Sequence, residues 1–134
     1  MTKQQLLNLP GSVLVGSRAF GVATIGSDYD VAIKLSDLPC ELRDILDGPS
    51  NFDIRKYFKV LPIGNAWYIP KLKPDDTNDK FDIIIFEDTA DFISLREVVT
   101  DMKALPTYML TDKQTRVRLF ELGLLNYGFV HGEL

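Results

Sequence analysis

The segment "VLVGSRAFGVATIGSDYDVAI", residues 13–33, joins two apolar runs through a glycine-punctuated loop and sets Asp28 and Asp30 on alternate positions of the second run. Successive side chains of a strand point to opposite faces, so Asp28 and Asp30 share one face while Tyr29 and Val31 take the other. Gly16 and Ser17 end the first run. A glycine at a strand end lets a phosphate approach the backbone, and the helical turn that follows offers unpaired N–H groups to it. Ser17 adds a hydroxyl, and Arg18 a charge partner for a phosphate or a carboxylate.

Outward from this segment the pattern alternates helix and strand. Thr2 and Gln5 have capping-box spacing, which predicts a short helix over residues 3–8 before Pro10 and Gly11. "VLV" at 13–15 and "YDVAIKL" at 29–35 read as strands. Leu38, Leu42, Ile45 and Leu46 fall on one helical face, with Asp37 as N-cap and Gly48-Pro49 as the stop. "RKYFKVL" and "WYIPKL" flank a Pro-Ile-Gly-Asn turn and predict a hairpin at a sheet edge, since Pro62 and Pro70 cannot donate to a ladder. "KPDDTNDK" reads as a loop and "FDIIIF", residues 81–86, as the strongest strand. Phe92, Leu95, Val98, Val99 and Met102 recur at helical spacing as far as Leu105-Pro106. A second helix carries Val117, Phe120 and Leu124, with Thr111 and Gln114 at capping spacing and Gly128 as its stop. The expectation is one α/β (α+β) domain over 1–134, a small mixed β-sheet flanked by helices.

If "FDIIIF" lies beside the strand of Asp28 and Asp30, Asp82 joins them from its neighbouring start. Three clustered carboxylates raise one another's pKa and resist joint ionisation, and a divalent cation removes the conflict. Carboxylate oxygens suit Mg²⁺, with Mn²⁺ as an alternative, and Mg²⁺ takes remaining ligands from water and substrate phosphates. Two such ions can clamp the attacking and leaving oxygens of an in-line displacement at phosphorus. The pattern therefore asks for a phosphate-bearing substrate.

"GSRAFGVATIGSDYD" resembles the nucleotidyltransferase signature of the DNA polymerase β superfamily, and most resembles the minimal nucleotidyltransferases, with GSRAxG followed by SDxD. Gly16, Ser17, Arg18, Ala19, Gly21, Ser27, Asp28 and Asp30 stand where that pattern has them. The likeness covers residues 11–35 and, in outline, 80–105. It implies a polymerase β palm-like fold, with Gly16, Ser17, Arg18 and Ser27 toward the nucleotide and Asp28 and Asp30 binding Mg²⁺. Asp82 resembles the third carboxylate, which completes a metal site and helps activate the attacking hydroxyl; Glu87 and Asp88 are the other acids to consider for that place. The implied activity is transfer of a nucleoside monophosphate, AMP from Mg-ATP being favoured, to a hydroxyl on a protein or RNA with release of pyrophosphate. The implied setting is a toxin–antitoxin pair with a HEPN-type ribonuclease partner, or a phage or defence system. The alternative is a catalytically inactive module of the same fold that blocks a partner protein.

Composition narrows the partners. Hydrophobic residues make up 46% of the 134 and charged ones 25%, the mix of an ordinary globular domain. A net charge of -4 argues against a general nucleic-acid binder, so a protein acceptor is favoured over RNA. Arg55, Lys56, Lys59, Lys71 and Lys73 read either as a basic face near a triphosphate or an RNA substrate or as a solvated surface. Of Trp67 and Tyr68, one ring stacks on a base or both serve packing, and one of the two should enter the core. Cys40 has no partner cysteine and reads as a helix residue, buried or at the surface, His131 falls in a predicted frayed tail, and no apolar run is long enough to cross a membrane; a cytoplasmic setting is expected.

Overall fold

The computed structural model describes residues 1–46 and 59–132. In chain order they form α1 (Lys3–Leu7), β1 (Val13–Val15), the single turn α2 (Gly16–Ala19), β2 (Tyr29–Lys34) and a 3₁₀ turn at Leu35–Asp37. These are followed by α3 (Cys40–Leu46), β3 (Val60–Leu61), β4 (Ala66–Leu72) and β5 (Phe81–Phe86). The chain continues with α4 (Thr89–Lys103), a 3₁₀ turn at Thr107–Met109, α5 (Lys113–Asn126) and β6 (Val130–His131). Four strands make a mixed sheet in the order β1-β2-β5-β4, in which β2 and β5 are parallel and both outer pairings are antiparallel. The fold is α+β, a small mixed sheet flanked by helices.

All six residues of β5 are buried, because the strand is central and both of its faces are covered. Ala32, Ile84 and Phe86 face one apolar layer, closed by Phe92, Leu95, Val98 and Val99 of α4 and Leu124 of α5. Val31, Ile33, Ile83 and Ile85 face the other, with Leu6 of α1 and Leu42 of α3. A continuous apolar run such as Ile83-Ile84-Ile85 is what a strand covered on both sides requires. Thr2 and Gln5 close the expected capping box on α1, with Gln5 N–H donating to Thr2 Oγ1 at 3.2 Å and Thr2 N–H to Gln5 Oε1 at 2.8 Å.

Four expectations are corrected. β3 does not pair with β4; it pairs antiparallel with β6, so His131 is a strand residue opposite Val60. The connection after β3 turns away because the N–H groups of Ile63 and Gly64 donate to the buried Asp91 carboxylate of α4, at 3.4 and 2.8 Å. β4 is nevertheless the sheet edge on which Pro70 is tolerated, with an irregular register between Ile69 and Leu72. Second, α3 begins at Cys40, since Asp37 is spent in the preceding 3₁₀ turn; Cys40 and Ile45 are exposed. Third, Asp112 caps α5 by accepting from Thr115 N–H at 3.0 Å, while the Thr111 hydroxyl donates to the Tyr108 carbonyl. Fourth, Val117 of that helix is exposed although Leu124 is buried. The expected Gly48-Pro49 stop, and Arg55 and Lys56 of the expected basic face, lie outside the described residues. Among the described residues no helix is long and apolar enough to cross a membrane.

Candidate active site

Parallel pairing of β2 with β5 sets Asp30 directly opposite Asp82, at the starts of the two central strands. Both side chains point to the α4–α5 face, the same side as Ala32 and Ile84 two residues further along. Asp28 precedes β2 by one residue and keeps a quarter of its side chain exposed, at 25%, whereas that of Asp82 is exposed by only 9%.

Gly16, the first residue after β1, closes the cluster on that side. Its φ of +70° lies in the left-handed region, and a Cβ there would overlap the Asp30 carboxylate, coming within 3.2 Å of Cγ. The glycine expected from the sequence to admit a phosphate thus also admits a carboxylate against the backbone. Ser17 follows at the head of α2, half-buried.

Arg18 and Ser27 are engaged within the loop between β1 and β2. One terminal nitrogen of Arg18 donates to the Ser27 carbonyl at 3.0 Å, and its guanidinium lies 4.5 Å from the Tyr29 ring centre, a cation–π distance. Arg18 Nε is buried and has no hydrogen-bond partner among the described residues. The Ser27 hydroxyl accepts from Thr24 N–H at 2.9 Å. Tyr29 in turn stacks on Phe81 with ring centres 4.9 Å apart, so the two residues brace the loop on which Asp28 arrives. The other acids considered, Glu87 and Asp88, sit past the far end of β5. Glu87 accepts from Asn65 Nδ2 at 2.8 Å, and Asp88 caps α4. Neither approaches Asp82's end of the strand.

Lys71, read from the sequence only as one of several residues of a basic hairpin face or a solvated surface, is a residue of this cluster. Its Nζ forms an ion pair with Asp28 and lies 4.0 Å from Asp82 Oδ2, while its backbone N–H donates to Asp82 Oδ1 at 2.9 Å. The local signal that marks it is Pro70 beside it, at the point where β4 loses register. Lys59 is exposed on the segment leading into β3, and Lys73 follows β4. Of the aromatic pair, Tyr68 is buried in the α4–α5 layer and Trp67 packs half-buried against the other.

Burial first, and then the charge of Asp82, a hydrogen bond with it and the charge of Asp28, push the Asp30 carboxyl up to about 7; Lys71 opposes the rise. The Lys71 ammonium is held above its ordinary range, chiefly by its hydrogen bond to Asp28. Three carboxylates with an ammonium among them offer the oxygen donors that a hard divalent cation takes, and the Gly16 backbone packs against Asp30 on one side. Among the described residues no three His, Cys, Asp or Glu side chains stand ready as a metal-binding group. Asp30 is joined to Asp82, and Asp28 is held by Lys71. Compared with known families, curated proteins and solved structures, the chain matches none.

Proposed function

We propose that this domain is a nucleotidyltransferase of the polymerase β palm-like type, which moves a nucleoside monophosphate from a triphosphate, ATP being favoured, to a hydroxyl acceptor. The observation that carries the reading is the pairing of Asp30 with Asp82 on adjacent parallel strands, with the Gly16 backbone packed against Asp30. It joins a backbone turn able to receive phosphate to a carboxylate cluster. An ordinary acidic strand end has no use for such a combination, because mutual repulsion and burial make it costly.

In the reaction the acceptor oxygen attacks the α-phosphorus, the bond from that phosphorus to the bridging oxygen breaks, and pyrophosphate leaves. Gly16 and Ser17 hold the triphosphate through backbone N–H groups and the Ser17 hydroxyl. Arg18 and Ser27 act at one remove, by fixing the loop that delivers Asp28. Asp82 receives the proton of the attacking hydroxyl. Asp28, Asp30 and Asp82 would hold Mg²⁺ or Mn²⁺, which would supply charge neutralisation at the phosphoryl oxygens.

A protein acceptor is preferred to RNA, because an acidic chain has little with which to grip a polyanion whereas a protein partner supplies its own complementary surface. A HEPN-type partner in a toxin–antitoxin, phage or defence setting, in the cytoplasm, suits this reading. Incubation with α-labelled ATP, Mg²⁺ and host extract, followed by protease or ribonuclease, tests it. Protease-sensitive label that is absent with Asp28→Asn supports the proposal. Absence of label and of pyrophosphate with every nucleoside triphosphate overturns it in favour of a binding module that blocks its partner. Ribonuclease-sensitive label reverses the order of acceptors.

A further inference from the structure

Lys71 departs from ordinary strand behaviour in both its backbone and its side chain. Its φ is +53°, and it is the only described residue other than glycine with a positive φ. That region is unfavourable for a side chain bearing a Cβ and persists only where surrounding contacts hold it. Here the backbone N–H donates to Asp82 Oδ1 at 2.9 Å, and the β4 register breaks between Ile69 and Leu72 to make this possible. The turn of the backbone also brings the ammonium over the cluster, to Asp28 and within 4.0 Å of Asp82. One residue thus fixes the orientation of one carboxylate through its main chain and neutralises its neighbours through its side chain.

We propose that Lys71 is a tethered cation that occupies the carboxylate cluster and competes with a divalent ion for it. The inference rests on the reading of Asp28, Asp30 and Asp82 as metal ligands. An ammonium on a flexible four-carbon stem is a compact charge that can be exchanged without unfolding anything, and 60% of the Lys71 side chain is open to solvent. Held between Asp28 and Asp82, it satisfies the carboxylates that a metal would need and so weakens entry of the free ion. A triphosphate brings its own negative charge and attracts the ammonium away from Asp28, leaving the carboxylates to the cation that arrives with it. Lys71 is accordingly a positioning residue that ties metal entry to nucleotide binding.

The test is direct binding of Mn²⁺, without nucleotide, followed by calorimetry or by the paramagnetic signal of the free ion. Lys71→Met keeps the stem and removes the charge. Lys71→Gly removes the charge and relieves the positive φ, so that it guards against a folding defect in the first variant. Lys73→Met makes the same change in net charge two residues away. Both Lys71 variants should bind Mn²⁺ about tenfold more tightly than the wild type, the scale expected for losing a unit charge at contact distance in a partly solvated site. Lys73→Met should stay within about twofold, as expected of a screened surface charge. Unchanged affinity in both Lys71 variants, with Mn²⁺ still lost in Asp28→Asn, overturns the tethered cation and leaves the metal reading standing. Failure of every protein to bind Mn²⁺, with or without ATP, overturns both. Tighter binding in the Lys71 variants without any nucleotidyl transfer supports the cation and counts against the activity alone.

Discussion

The Asp30–Asp82 pair should cost the folded protein stability at neutral pH, and Asp30→Asn should recover it. In the unfolded chain the Asp30 carboxyl ionises near its ordinary value of 3.8, and in the folded protein at about 7. Between those values the native state holds a proton that the unfolded state has released, so stability falls as pH rises through the window and levels off above 7. A rise from 3.8 to about 7 corresponds to at most ~4 kcal/mol lost by pH 8. Asparagine has nearly the same shape and no charge to bury. It should therefore match the wild type near pH 4 and exceed it by about 2–4 kcal/mol at pH 8. For a domain of this size that is a melting temperature higher by roughly 8–15 °C. Metal-free thermal and urea melts of both proteins at intervals from pH 4 to pH 8.5 provide the measurement. Only the difference between the two curves reports Asp30, since every other titrating group is common to both. Parallel curves, or a variant less stable than the wild type at pH 8, would refute the account of Asp30 as a buried, charge-crowded carboxyl. On the proposed function, Mg-ATP should raise the melting temperature of the wild type and not that of Asp30→Asn, a trade of stability against function.

Gly16→Ala should cost about 1–3 kcal/mol in urea unfolding, because the new Cβ meets the Asp30 carboxylate in a left-handed backbone, and it should also abolish nucleotidyl transfer. Asp82→Ala should lose at least about 100-fold in transfer and, by leaving the Lys71 N–H without its acceptor, about 1–2 kcal/mol in stability. Asp82→Asn should lose the activity but keep most of the stability, so near-normal turnover in either variant rules out Asp82 as the proton acceptor. Asp112→Ala should lower the melting temperature by removing the cap of α5, whereas Thr111→Ala should lower it less, as circular-dichroism melts can compare.

Much of the candidate site was legible locally. Asp30 lies on β2 as its alternation with Tyr29 and Val31 requires, with Asp28 one residue before the strand, and the glycine before Ser17 marks a backbone position that no side chain could fill. The apolar stripe from Phe92 to Met102 is buried as its spacing requires, and the Thr2–Gln5 box closes as written. These features depend on the period of one segment or on residues three apart, and a short stretch of chain carries that information whole. Partner choice is different. Val60-Leu61 has the composition of a hairpin arm, but its hydrogen bonds go to β6, because the Asp91 carboxylate, 27 residues beyond Gly64, captures the intervening N–H groups. The register that sets Asp30 against Asp82 joins segments about fifty residues apart and is fixed by burial on both faces of β5. Lys71 enters the cluster only because β4 lies at the edge next to β5 and breaks register beside Pro70. The sequence by itself determined where the strands carrying Asp30 and Asp82 run and that Gly16 ends β1. Tertiary structure decided which of them meet, what charge stands among them and why the Asp30 carboxyl is raised, since burial and neighbouring charges are properties of the assembled sheet.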